Sequence, residues 1–241
     1  MFVIGERINA HGSRAARRLL LAGDDEGLAA IATAQVEAGA HALDVCVAMD
    51  GHDDEAERMA HVVARLAIVV DVPLAIDSTD PVVIERAIDI LGGRTIVNSI
   101  NIGGRTTPER LVPVARDCGA SMIALCIDDD GMARTRQRKL QVARAIYERI
   151  VDRHSADPAA LLIDALTFPV ARDGEASAVE TIEGVRLIKR ELPGVRTILG
   201  LSDVSFGLPA DARAAVNADF FRRCAEAGLD AVIANPAHVC S

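Results

Sequence analysis

Polar residues of the kinds that bind ligands recur at the ends of short apolar runs in this chain. Glu6 and Asn9 follow the run at 2–5, Asp44 lies within 42–47, Asp77 follows 74–76, and Asn98 follows 95–97. Farther on, Asp128-Asp129-Asp130 follow 121–127, Asp164 follows 161–163, Ser202-Asp203 follow 197–201, and Asn235 follows 231–234. Carboxylates accept hydrogen bonds and side-chain amides both donate and accept, so such a set facing one space suits a polar ligand rich in N–H donors. Carboxyls in unlike surroundings can also be driven apart in pKa, which is the basis of acid–base work. The local alternative is that Asp, Asn and Ser cap helices and shape turns. Each position taken singly fits a cap, whereas recurrence after every run points to a shared site.

Other chemistries fit less well. The histidines, His11, His41, His52, His61, His154 and His238, make no H-x-x-x-H pair, and no Cys/His cluster has zinc spacing, so no protein-bound metal is expected. Asp128-Asp129-Asp130-Gly131 lacks the alternating ligands and final Glu of a calcium loop and reads as a solvated acidic loop. Cys46 and Cys126 lie near run ends and are candidate nucleophiles; the alternative is a small buried hydrophobe. No Gly-rich phosphate loop is present, although Asn101-Ile102-Gly103-Gly104 can form a tight turn.

The elements that must position these residues are legible in the periodicity. The eight short runs are β-branched and strand-like, while the segments 28–39, 54–70, 81–91, 108–119, 135–153, 178–192 and 211–228 have helical spacing. Pro81 and Pro108 stand at helix starts, and Gly39, Gly119 and Gly228 stand where a left-handed residue would end a helix. Eight strands alternating with helices, without GxGxxG after the first strand, predict a (β/α)8 TIM barrel over an open doubly wound sheet. In that fold the functional loops lie at the carboxyl ends of the strands, where the polar residues fall. After the eighth run only 235–241 remain, so the last helix is expected to be missing and its place covered by a partner or lost by shortening.

Composition sets the outer limits. The 241 residues fit one domain, 1–241, and are 50% hydrophobic but only 2% aromatic, which predicts an aliphatic core of parallel strands under helices. A formal charge of −9 and few aromatic rings argue against a general nucleic-acid partner. Five cysteines without a C-x-x-C pair suit a reduced, cytoplasmic protein. No apolar run approaches the roughly 20 residues of a membrane span.

Taken in order along the whole chain, "VIGERINAHGS" (3–13), "GAHALDV" (39–45), "AIDST" (75–79), "IVNSINI" (96–102), "DDDGMARTRQRKLQVA" (128–143), "IDALTFPVA" (163–171) and "GLSDVSFG" (200–207) resemble the pterin-binding methyltransferases. That family comprises the methyltetrahydrofolate:corrinoid methyltransferases and the folate module of cobalamin-dependent methionine synthase. The resemblance implies a barrel of the dihydropteroate-synthase-like type that binds a reduced folate and moves a methyl group between the folate N5 and a corrinoid cobalt. It places the pterin-anchoring residues at Asp77, Asn98 and Asp164, with Asp44 and Ser205 in the same pocket, Glu6 or Asn9 at its floor, and Arg213 toward the folate's glutamate tail.

Two positions depart from the family pattern. Asp-x-Asn on the second strand is here Asp44-Val45-Cys46, and Ser-Asn-Val-Ser at the seventh is Ser202-Asp203-Val204-Ser205. The family Asn there is the residue implied to meet N5, which makes Asp203 the candidate catalytic group. No Asp-x-His-x-x-Gly corrinoid signature occurs, so the corrinoid (cobalamin) is expected on a separate protein or free, and the resemblance implies a homodimer. Two rival readings stand beside this one. A dihydropteroate synthase would need a lysine in a Ser-Arg-Lys pattern at the seventh strand, absent here, and a non-catalytic folate-binding subunit would need only the pocket.

Overall fold

The computed structural model describes residues 1–239. Eight parallel strands, Phe2–Asn9, Ala42–Cys46, Leu74–Asp77, Thr95–Ile100, Ser121–Leu125, Leu161–Asp164, Arg196–Gly200 and Ala231–Ala234, close into a barrel, each beside its neighbour in sequence and the eighth beside the first. Seven helices on the outside match the helical segments expected from spacing: Asp25–Glu37, Glu55–Val69, Pro81–Leu91, Pro108–Cys118, Arg136–Tyr147, Glu175–Glu191 and Ala210–Glu226. Pro81 and Pro108 open their helices, and Gly39, Gly119 and Gly228 have positive φ at the helix-to-strand hinges. The fold is thus the (β/α)8 barrel that strand count predicted.

Strand alternation explains which side chains reach the barrel axis. Ile4, Ala42, Ala75, Ile96, Ile123, Leu162, Ile198 and Ala231, one per strand, form a closed apolar cluster inside the barrel. Because side chains repeat every second residue along a strand, the next inward positions toward the carboxyl ends are Glu6, Asp44, Asp77, Asn98, Leu125, Asp164, Gly200 and Ile233. Five of those eight are polar, so the barrel is dry below and polar at its mouth. The opposite faces, including Leu43, Val45, Ile76, Val97, Ile163 and Leu199, pack under the helices in the larger core.

Several expectations about individual elements need correction. The helix Arg14–Ala22 was not signalled, because it buries only Ala16 and Leu20 and leaves an arginine-rich face to solvent; Ser13 caps its start and Gly23 its end. The fifth strand stops at Leu125 instead of 127, and Ile127–Asp128 pairs with Gly131–Met132 in a small antiparallel hairpin. The acidic loop there is not freely solvated: Arg138 reaches Asp128 at 2.6 Å and Asp130 at 2.8 Å. Gly103, in the turn after the fourth strand, lies so close to the Asp128 backbone that a side chain would collide with it. The 135–153 segment is α-helical to Tyr147 and continues as a π-helical turn, Glu148–Asp152. One helical turn, Pro236–Val239, follows the eighth strand. No helix among the described residues is long and apolar enough to cross a membrane.

Candidate active site

Two clusters of polar side chains face each other across the mouth. On one side the second, third and fourth strands bring Asp44, Asp77 and Asn98 together, with Asp77 directly opposite Asn98 in the strand register. Asn98 Nδ2 donates to Asp44 Oδ1 at 2.9 Å, and Asn9 Nδ2 donates to Asp77 Oδ2 at 3.4 Å. Asn9 is fixed in turn, its Oδ1 accepting from the N–H groups of His11 and Gly12. Asp44 is buried, and burial with the nearby Asp77 carboxyl pushes its pKa well above the usual carboxylate range. Asp77, half-buried, is raised by the same desolvation, partly offset by a hydrogen bond from Cys46.

On the other side the sixth and seventh strands bring Asp164 and Asp203 together, and Glu6 reaches them from the first strand. Asp164 is buried and accepts the Leu166 N–H at 2.7 Å, yet desolvation raises its pKa to about 7 and the Asp203 carboxyl pushes the same way. Glu6 accepts the Ser202 hydroxyl at 2.9 Å and is also raised by burial. Asp203 stands on the 3-10 turn Ser202–Ser205 that ends the seventh strand. Its carboxyl lies back over Gly200, where a Cβ would sit 2.5 Å from Oδ2; the missing side chain makes that position available. Crowding in the mouth, then Glu6, raises its pKa to about 6. The residue is nevertheless exposed to the open mouth. Water there stabilises the ionised carboxylate, so the rise is complete only when a ligand displaces that water.

Other candidates take different places. Ser205 is buried and its hydroxyl donates to Ser202 O at 3.2 Å within the turn. Arg213 is exposed on the following helix and its Nε donates to Leu208 O at 2.9 Å. Asn235 lies at the end of the eighth strand, accepting the Ala237 N–H at 3.3 Å. Cys46 and Cys126 are buried and burial raises both thiols, which keeps them protonated and removes the nucleophile reading. Among the described residues no group of three or more His, Cys, Asp or Glu is placed to hold a metal ion.

Lys139 was overlooked as a separate residue in the sequence. It is fully buried, on the helix after the fifth strand, and its ammonium bonds to the carbonyls of Ala165 and Leu166 beneath Asp164. The signal was available: Lys139 stands in series with Val142, Ala143 and Ile146, the buried stripe of its helix, where a lone lysine is out of place.

Five carboxyls with raised pKa values give the ligand-free fold a defined pH response. A carboxyl that titrates higher in the fold than in the unfolded chain makes the folded state bind more protons between the two values. Stability therefore falls as pH rises from 5 to 8, with Asp164 alone contributing on the order of a few kcal/mol. At about 2–4 °C per kcal/mol for a chain of this size, the thermal midpoint should drop by several degrees over that interval. Asp164→Asn should flatten the slope; a midpoint that instead rises with pH would show that these carboxyls are not strained by burial.

Comparison with known proteins places the chain in a family and matches its barrel type. The pterin-binding enzyme family matches residues 5–235. Methionine synthase of Mycobacterium tuberculosis is 39% identical over 246 aligned positions, covering 99% of this chain and 21% of that protein. Methionine synthase of Mycobacterium leprae is 38% identical, with 99% and 20% covered. The chain thus spans about a fifth of the length of the curated relatives it matches. In structure it is similar to dihydropteroate synthase of Xanthomonas albilineans in complex with 7,8-dihydropteroate, at a TM-score of 0.67 and 19% identity, with 98% of this chain and 88% of that chain covered. Dihydropteroate synthase of Thermus thermophilus gives 0.65 and 18%, with 98% and 90% covered. At those identities the structural likeness shows the barrel type alone. A polar-mouthed (β/α)8 barrel of the dihydropteroate synthase type, matched from residue 5 to 235, belongs to the pterin-binding enzyme family.

Proposed function

We propose that this barrel binds a reduced folate by its pterin ring and moves a methyl group between the folate N5 and the cobalt of a corrinoid presented at the mouth by another protein or module. The observation that carries the reading is the facing pair of clusters, Asp44, Asp77 and Asn98 against Asp164 and Asp203, buried or crowded without facing cations to neutralise them all. A pterin supplies what these carboxyls lack. Its amino-pyrimidinone edge offers adjacent N–H donors to a carboxylate and a carbonyl to the free hydrogen of an amide such as Asn98. The identity to methionine synthase over nearly the whole chain supports a folate as the pterin and a corrinoid as the methyl partner.

The chemistry assigned to this chain is proton handling at N5. As the N5–CH3 bond breaks, its electron pair stays on N5, an amine anion unless a proton arrives. Asp203 supplies that proton and the methyl leaves for cobalt. In the reverse direction the same carboxylate takes the proton from N5–H as N5 attacks the methyl. A carboxyl titrating near 6 is protonated in about one molecule in ten at pH 7, enough to act as acid while regenerating readily as base. Corrinoid is a co-substrate in this scheme, and no ligand from this barrel to cobalt is required.

The test is to mix the purified protein with methyltetrahydrofolate and reduced cobalamin and follow the absorption spectrum. Catalysed appearance of methylcobalamin supports the proposal. Folate binding without methylation would identify a non-catalytic folate-binding subunit, and absence of both would remove the folate assignment.

A further inference from the structure

The carbonyl bonds of Lys139 reach Asp164 through one peptide group. The Ala165 oxygen accepts from Lys139 Nζ, and the N–H of the same peptide unit, that of Leu166, donates to Asp164 Oδ1 at 2.7 Å. The Leu166 oxygen takes a second bond from Nζ at 3.0 Å and one from the Thr181 hydroxyl at 2.9 Å. Leu166 itself has a left-handed φ of 62°, a conformation that a leucine holds only when its surroundings enforce it. Lys139 also lies 4.9 Å from the centre of the Phe168 ring, and its stem runs across Gly184, where a Cβ would approach its Cδ to 2.6 Å. A glycine in the middle of the Glu175–Glu191 helix is unfavourable relative to alanine, so room for this lysine is maintained against helix propensity.

We propose that Lys139 is a positioning residue for Asp164: through the Ala165–Leu166 peptide it orients the carboxyl toward the mouth and favours its ionised form. A cation on a peptide oxygen draws electron density from the nitrogen and strengthens the opposite N–H as a donor. That donor sits on Asp164, and a hydrogen bond to a carboxylate favours the charged form. The effect opposes the desolvation that raises Asp164 and the Asp203 carboxyl facing it from the seventh strand. The Cys126 thiol at the end of the fifth strand is the other titratable neighbour, and Glu180 and Arg134 bracket Lys139 with opposite charges. Without Lys139 a pterin would meet an Asp164 held protonated, a poor acceptor for its N–H donors. That last consequence rests on the pterin reading; the control of Asp164 by Lys139 does not.

The experiment follows the Asp164 carboxyl by carbon-13 NMR in the ligand-free protein. Lys139→Met removes the charge at nearly constant length, and the Asp164 midpoint should rise by at least one pH unit while the variant still melts cooperatively. An unchanged midpoint in a folded variant overturns the proposal. Should Lys139→Met not fold, the wild-type protein decides: the Leu166 amide nitrogen should report two titrations, one from Asp164 and a second near pH 8 from Lys139, whose burial lowers its pKa to about 8. A single titration up to pH 10 would overturn the proposal. Neither measurement contains folate, so a failure of folate to bind the wild-type protein would count against the proposed function and leave the Lys139 result standing.

Discussion

Asp164→Ala is expected to weaken binding of a reduced folate by at least about thirtyfold, measured by titration calorimetry. Truncation leaves the ligand's N–H donors buried without an acceptor, a loss of about 2–5 kcal/mol for a hydrogen-bonded charged partner, and each 1.4 kcal/mol is tenfold in affinity. Asp77→Ala on the facing cluster should act in the same way. Asp164→Asn is the informative companion, since it keeps an oxygen for the Leu166 N–H but turns an N–H₂ toward a ligand that also offers N–H. The pH dependence has a definite sign. Asp164 titrates near 7 in the empty barrel and must be ionised to accept, so binding at neutral pH expels a proton and affinity falls as pH drops below about 7. Wild-type affinity retained in both alanine variants would place the pterin elsewhere.

Asp203→Asn is the second change with a large expected effect, and it separates chemistry from binding. An amide can hydrogen-bond N5 but cannot transfer a proton to it. Folate affinity should stay within a few-fold, while methyl transfer to cobalt falls by about 10²–10⁴, the usual weight of general acid–base catalysis. The shape of the pH profile matters more than the size of the drop. In the wild-type protein the rate of transfer from folate should decline as pH rises through about 6, since the protonated carboxyl is the active form. In the reverse direction the rate should climb over the same range. Both limbs should vanish in the Asn variant; an unchanged profile would remove the proton-transfer role of Asp203. Positions 200 and 203 should also be coupled, because the carboxyl lies where a Gly200 side chain would be.

Much of this was legible in order of residues alone. The eight strand-like runs and seven helical segments are set by apolar periodicity, a local property, and they specify a barrel because alternating strands and helices of this length close best that way. The inward direction of Asp44, Asp77, Asn98 and Asp164 also follows from sequence once the barrel is assumed: each lies two residues beyond an apolar inner residue, Ala42, Ala75, Ile96 and Leu162 respectively. Helix Arg14–Ala22 and the 127–132 hairpin were not legible, because one buries too little for a stripe and the other is too short for a period.

The tertiary structure decided what those residues meet. Asp44 is held by Asn98 across 54 positions of sequence, Glu6 by Ser202 across 196, and the peptide after Asp164 by Lys139 across 26. No local pattern encodes such pairings, since they arise only when barrel closure brings distant strand ends within hydrogen-bond reach. Charge state is decided at the same level. An aspartate's pKa depends on how much water the surrounding strands exclude and which carboxyls they bring near, so the raised values of Asp164 and Asp203 are properties of the assembled barrel. The family resemblance marked Asp203, with Cys46, as a departure from pattern; only the fold supplies the burial and the nearby Glu6 that raise the Asp203 carboxyl.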